Sequence, residues 1–420
     1  MSNETKEACV HQRQAKGLMV FFALVFIAEG LGQATGLINQ PLSYYLLKTY
    51  NWDAEKINAF LSVLVIPWVV KPIYGIVSDF IPLFGYRRKS YLFLANLMAV
   101  LGYLWIVGLT SPSIIIIALM FTSIGMAASS TLSQALMVEN GKKTGLNSKF
   151  VTQQWLWFFI AAIGTSYVGG QLCAHMSPEA AMHTAALIVA VAPIGVLFGC
   201  FWYVQEEKAQ VNKEGFKASL KSLKDAFKSK TIWVVGGFIF AYNFSPGFGT
   251  PLYIHMTKNL EFGQDFIGNL GAISAAGSIV GAFAYMWLSK RMSLKNLLFL
   301  CIIMGAVSQG SFVFLHGPTS AVLLNLSHGF ATMVALLASL TLAADYCPDG
   351  AEGFSYALLM SVNNLAAPAS SSSGAWLYER VFEHNLTPLI IVSAVVTVFA
   401  AFLVPTLKLG NRMPGDKPTH

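Results

Sequence analysis

Glu29 and Lys71 are the residues of this chain best placed to do chemistry, because each is ionisable and each stands inside a long apolar run. A charge kept at membrane depth marks a proton relay, a substrate contact or a structural ion pair. Glu29 belongs to "EGLGQATGLINQP", where Gln33 and Gly36 share its face at helical spacing. Lys71 opens "KPIYGIVSDFIPLFGYRRKS", which also holds Gly75, Asp79, Gly85 and the three cations Arg87, Arg88 and Lys89. Further polar groups fall within apolar stretches: Gln153 and Gln154 beside Trp155 and Trp157, Asn243 ahead of "SPGFGTP", and Asn363 and Asn364 ahead of Pro368. Pro246 and Pro251 remove backbone donors, and the carbonyls they free are tolerated at membrane depth where they line a cavity or meet another helix. The asparagines are read as cavity-lining and the run Ser370 to Ser373 as helix packing. His328 suits either a proton or substrate role or a satisfied core position; His255, near a span end, is read as a solvated histidine.

These residues do not form a catalytic set. No nucleophile stands with a base, the histidines are isolated from one another, and no metal-ligand spacing occurs. No Gly-rich phosphate loop ending in Lys-Ser/Thr is present either, which disfavours an ATP-driven pump. The five cysteines are scattered and read as small apolar fillers. The expectation is a protein that is not an enzyme and needs no cofactor or metal.

The elements that must position the charges are membrane spans. Of 420 residues, 55% are hydrophobic and 11% charged, against roughly 25% charged in soluble domains. Apolar runs near the length needed to cross a hydrocarbon core ~30 Å thick recur throughout. Read between charged or Pro/Gly-rich breaks, they give an all-α membrane protein of twelve spans: 18–46, 56–80, 90–110, 113–138, 150–173, 182–204, 231–257, 265–289, 294–315, 319–345, 353–378 and 386–408. The first run follows a mostly polar segment and lacks a small-residue cleavage site, so it is expected to be a retained helix. Glu29 then lies about 16 Å into the first span and Lys71 about 13 Å from the end of the second, at ~1.5 Å per residue. The two charges are therefore expected at similar depth on adjacent helices, as a coupling pair or as a structural one.

Of the 27 Lys and Arg residues, 22 fall on the side of both termini and the even-numbered loops, four on the other side, and Lys71 within a span. By the positive-inside rule both termini are expected in the cytoplasm, with the protein in the cell inner or plasma membrane. The net charge of +7 is thus a topology signal and does not point to nucleic acid. Residues 1–17 form an N-terminal segment, 18–204 a first six-helix half, 205–230 a linker, 231–408 a second half and 409–420 a tail. In the linker, Phe216, Leu220, Leu223 and Phe227 recur at helical spacing with lysines one residue behind. That pattern fits a basic amphipathic helix on the bilayer surface, although a calmodulin-type target helix looks similar.

The halves carry a faint repeat. The fourth span ends at Glu139 in "ALMVENGKKTG" and the tenth at Asp345 in "TLAADYCPDGAEG". Related six-helix halves with a site between them are a common transporter plan. Asp79, near the end of the second span, can pair with the arginines that follow or with a neighbouring helix end. Such a pair is read as a latch, with Gly75, Gly85, Lys89, Glu139 and Asp345 as its surroundings, made when the cytoplasmic side closes and broken when the halves rock apart. The alternative is ordinary positive-inside charge beside an incidental carboxylate.

A glycine, an aspartate four residues on, a second glycine and a basic cluster between the second and third spans resemble the signature loop of the major facilitator superfamily. The step from Asp79 to Gly85 is six residues where three is usual, and no base directly follows the aspartate. With "KPIYG…SD…P…GYRR", "NFSPGFGTPLY" and "CPDGAEGFSYALLMSVNNL", the chain resembles the folate-biopterin transporter family within that superfamily. The resemblance implies the major facilitator fold and alternating-access transport of a polar organic solute, a folate or pterin being the best-known cargo. Another organic solute, or a receptor that senses a solute without moving it, are the competing readings. Lys71 would attract a carboxylate, Gln33, Gln153, Gln154, Asn243, Asn363 and Asn364 would match a polar ring edge, and Glu29 or His328 would couple transport to protons. The expected partners are a small-molecule substrate, protons and the lipid bilayer.

Overall fold

The computed structural model describes residues 3–33, 36–144, 147–210, 228–346, 352–409 and 413–414. Helices α1 (Asn3–Gly32) and α2 (Asn39–Thr49) make up the first expected span. The second is built from three pieces, α3 (Ala54–Val63), α4 (Ile66–Val69) and α5 (Lys71–Phe80). Then follow α6 (Lys89–Ile106), α7 (Pro112–Thr144), α8 (Asn147–His175) and α9 (Pro178–Tyr203). The seventh span is divided into α10 (Lys230–Asn243) and α11 (Gly249–Lys258). The rest are α12 (Gln264–Leu288), α13 (Leu294–Gly310) with a 3-10 turn Ser311–Phe314, α14 (Pro318–Asp345), α15 (Glu352–Arg380), and α16 (Leu386–Phe399) with a 3-10 turn Ala400–Leu407. The linker pattern from Phe216 to Phe227 lies outside the described residues.

Among the described residues, eight helices are long and apolar enough to cross a membrane unaided. The other four expected spans are the three that are broken and α15, whose Asn363, Asn364 and Ser370 to Ser373 dilute its apolar content. The seventh break was expected from its prolines and glycines; those in the first and second spans were not. Pro67 and Pro72 each stand in the opening turn of a new helix segment, where the missing N–H costs least. At each break the helical hydrogen-bond ladder is interrupted, and two of the breaks flank Glu29 and Lys71.

The end that carries the Arg87–Lys89 turn is here termed the basic end, and the opposite one the far end. One core runs through the first half and continues into the far end of the second, joining Phe22, Tyr45 and Ile57 to Leu252, Ile267 and Tyr378. A separate core fills the second half around Ile232, Phe238, Leu298, Leu342 and Val404. Across the halves, α8 packs on α12, and α15 packs on α3, α4 and α5. At the α8–α12 crossing the backbones nearly touch: a Cβ on Gly268 would sit 2.6 Å from Gly170 Cα. Absent side chains permit that approach, as is common between membrane helices.

Polar contacts fasten the same far end. Gln40 Nε2 donates to the Gln264 carbonyl at 2.8 Å, and Asn58 Nδ2 to Ser372 Oγ at 3.2 Å. The Ala54 N–H donates to Glu379 at 2.8 Å, and Arg380 pairs with Glu55 at 2.9 Å. The protein is therefore held closed at its far end.

Candidate substrate and coupling site

Glu29 stands three residues before the end of α1 and Lys71 is the first residue of α5, so each flanks a helix break. Glu29 is 8% exposed, and its Oε2 is buried with no hydrogen-bond partner among the described residues. Lys71 is half-buried; its Nζ donates to Ser130 Oγ at 3.1 Å and lies 4.5 Å from the centre of the Trp68 ring. Lys71 and the Ser130 hydroxyl are the groups that act electrostatically on the Glu29 carboxylate. The structure thus brings the carboxylate and the ammonium to one level around Ser130, but among the described residues they form no direct ion pair. Burying a charge costs several kcal/mol, and a shared hydroxyl and an indole face offset part of it.

The other candidates are dispersed. Gln33 is half-buried where α1 ends, and its N–H continues the helix to the Glu29 carbonyl at 3.1 Å. Gln153 of α8 turns its amide to the Met19 carbonyl on α1, and its own oxygen is buried with no partner among the described residues. Gln154 is half-buried on the same helix. Asn243 Nδ2 returns to the Ile239 carbonyl one turn back, at 2.8 Å. Asn363 has a buried Oδ1 with no partner among the described residues, whereas Asn364 donates across the halves to the Trp68 carbonyl at 3.0 Å. The Ser370 hydroxyl donates to the Ser245 carbonyl and the Gly247 N–H to the Ser370 carbonyl at 2.8 Å, so part of the serine run joins α15 to the break after α10. His328 faces α13, with Nδ1 3.2 Å from Ser308 Oγ and its ring edge-on to Phe312. It is therefore not gathered with Glu29 and Lys71.

At the basic end, Leu83 and Tyr86 exchange backbone hydrogen bonds around Phe84 and Gly85, whose φ values are 52° and 84°. Two successive left-handed residues make the turn of a tight hairpin, and Gly85 adopts that conformation without strain. The turn presents Arg88, 4% exposed, to Asp79, Ser78 and Glu139. The Glu139 contact is 3.0 Å. Arg87 is exposed, and Lys89 Nζ donates to the Val204 carbonyl at 2.9 Å. The N–H groups of Arg87, Arg88 and Lys89 all donate to the Glu206 carboxylate, at 2.9 to 3.0 Å, capping α6 from the end of α9. Asp79, Arg88 and Glu139 belong to the first half and Glu206 to the start of the linker, so parting of the halves does not by itself break the set. A Cβ on Gly75 would meet nothing within 4 Å. Asp345, at the end of α14, acts electrostatically on Tyr285 in the second half.

Ser130, Trp68, Glu206 and the far-end group Glu55, Glu379 and Arg380 escaped the sequence reading. Signals for three of them exist: "SSTLSQ" is a polar run in mid-span, Pro72 four residues after Trp68 removes that carbonyl's helical donor, and "VQEE" places acids at the end of α9.

A helical bundle of two packed halves with broken helices is that of a secondary transporter of the major facilitator type, and the Major Facilitator Superfamily profile matches residues 247–419. The BT1 family profile matches residues 31–315, and the chain belongs to the BT1 family. The chain is 27% identical to the folate-biopterin transporter of Synechocystis sp. over 95% of this chain and 83% of that one. It is 26% identical to folate transporter 1 of Plasmodium falciparum, covering 80% and 68% of the two chains. Among solved structures it is similar to the nucleoside transporter NupG, with a TM-score of 0.72 at 17% identity over 94% and 99% of the chains. That last likeness concerns the fold.

Proposed function

We propose that this protein carries a folate or pterin across a membrane by alternating access, in symport with protons. The observation that carries the coupling is the buried Glu29 carboxylate, one oxygen without a partner among the described residues, within electrostatic reach of Lys71 and Ser130. The similarity to relatives named as folate and folate-biopterin transporters supports the cargo. A folate carries carboxylates that an ammonium at membrane depth attracts. With the site empty, Glu29 offsets the charge of Lys71. Protonation at Oε2 removes that offset and leaves Lys71 to the anionic solute. Solute and proton thus act on one electrostatic unit, and their binding is linked.

The 22-to-4 distribution of cations supports placing the basic end and both termini in the cytoplasm. In that orientation, the state with its far end closed is the one that exchanges solute with the cytoplasm. Arg88, held by Asp79 and Glu139, is proposed to make the first half a rigid body during exchange. The test is uptake of labelled folate and labelled biopterin into proteoliposomes with an imposed pH gradient. Accumulation that follows the gradient supports the reading; binding without accumulation supports a receptor instead.

A further inference from the structure

The break in the second span creates a backbone group that the first half cannot satisfy alone. In a continuous helix the Trp68 carbonyl would accept the N–H of residue 72, but residue 72 is proline and has none. The Asn364 side chain of α15 supplies the missing donor at 3.0 Å, 296 residues away in sequence and from the other half. Trp68 is at the same time fixed to its own half. Its Nε1 donates to Ser123 Oγ at 3.2 Å, and that hydroxyl donates to the Leu64 carbonyl at 2.6 Å. Its ring faces the Lys71 ammonium. One residue therefore touches the half-buried cation, the wall of α7 and the opposite half.

We propose that Trp68 and Asn364 form the joint through which the state of Lys71 is communicated to the contact between the halves, with Asn364 serving as a positioning residue. Separation of α15 from α4 at this level strips the Trp68 carbonyl of its donor, so closure of the far end is favoured while the joint is made. Movement of the Lys71 ammonium off the indole, toward a bound anion, frees the ring that holds the carbonyl in register with Asn364. The proposal rests on alternating access but not on the identity of the solute.

The discriminating experiment places spin labels at Lys56→Cys and Lys258→Cys, both exposed at the far end on opposite halves, in a background lacking the five native cysteines. Distance distributions are recorded on the full chain in lipid nanodiscs, without solute. Asn364→Leu is expected to move the far-end equilibrium toward open by about tenfold, the scale of one orphaned buried carbonyl. Pro72→Ala restores an N–H to position 72, so Trp68 is satisfied within its own helix. In that background Asn364→Leu is expected to change the distribution less than about twofold. An equal shift in both backgrounds, or none in either, overturns the joint. If Pro72→Ala does not insert, Asn364→Gln and Asn364→Asp decide. Gln keeps a donor amide and is expected to keep the far end closed, whereas Asp presents an acceptor to a carbonyl and opens it. Identical behaviour of Gln and Asp overturns the proposal. These distances need no transported solute, so failure of folate uptake would leave them readable.

Discussion

Replacing Glu379 and Arg380 in turn measures which far-end contact holds the halves together. Both stand at the end of α15 and both reach the start of the second span, but their settings differ. Arg380 and Glu55 form an exposed pair, with side chains 66% and 34% accessible, and such pairs contribute about 0–1 kcal/mol. Glu379 is 9% accessible and accepts the N–H of Ala54, the first residue of α3, which is fully buried. Its other oxygen accepts from His384 at 2.7 Å. Truncating Glu379 leaves a buried helix-terminal N–H without a partner, a loss of about 2 kcal/mol. The closed state should therefore lose about thirtyfold in population ratio with Glu379→Ala but less than about fivefold with Arg380→Ala. Glu379→Gln keeps an acceptor oxygen and should fall between them. Distances between the spin-labelled Lys56 and Lys258 positions read all three variants. A shift for Arg380→Ala equal to or larger than that for Glu379→Ala would refute the ranking of buried cap over exposed ion pair.

Other outcomes follow from the same geometry. At the basic end, Arg88→Gln leaves Asp79 and Glu139 facing each other without a cation and should lower folded yield and transport far more than Arg87→Gln, whose side chain is exposed; thermal stability in detergent would show the order. Asp79→Asn leaves Arg88 its Glu139 and Ser78 partners, so near-normal insertion with impaired turnover is expected, and normal turnover would reduce the loop to a topology signal. A cysteine at Lys290 should react with a membrane-impermeant thiol reagent from the cytoplasmic side alone, and one at Lys258 from the opposite side alone; reversed labelling would invert the proposed orientation. His328→Gln should leave the proton dependence of uptake unchanged, because the ring is engaged with Ser308 and Phe312 inside the second half.

How much of this was legible in the sequence varied with the range of the interaction. Spans and their division into halves are written in hydropathy and in the placement of cations, and the break after α10 is written in Pro246, Gly247, Gly249 and Pro251. The breaks beside Glu29 and Lys71 were harder to see: the first has no proline within it, and in the second the sequence stays apolar around Pro67 and Pro72, which need not end a helix. Depth arithmetic brought Glu29 and Lys71 together, since rise per residue is a local property. It could not show Ser130 beside them, because which face of a largely apolar helix turns inward is settled by packing. For the same reason the direction in which His328 faces, toward Ser308 and Phe312, was not readable from its depth. At the basic turn, the cations drew attention to their side chains, whereas three of their backbone N–H groups hold Glu206 more than a hundred residues on. Asn364 reads as a cavity asparagine until Pro72 is seen to orphan the Trp68 carbonyl, and that pairing exists only once the halves are assembled.

The most direct test of the coupling proposed for Glu29 and Lys71 is uptake of labelled folate by Glu29→Gln proteoliposomes, with and without an inward proton gradient, alongside solute binding by Glu29→Gln and Lys71→Ala. Gln is nearly isosteric but carries no titratable proton, so Lys71 stays free for the anion. Glu29→Gln is expected to bind folate and exchange it down its concentration gradient, yet to gain nothing from the pH gradient, while Lys71→Ala loses binding itself. Accumulation of folate by Glu29→Gln in response to the proton gradient would contradict this expectation and place the coupling proton on another residue.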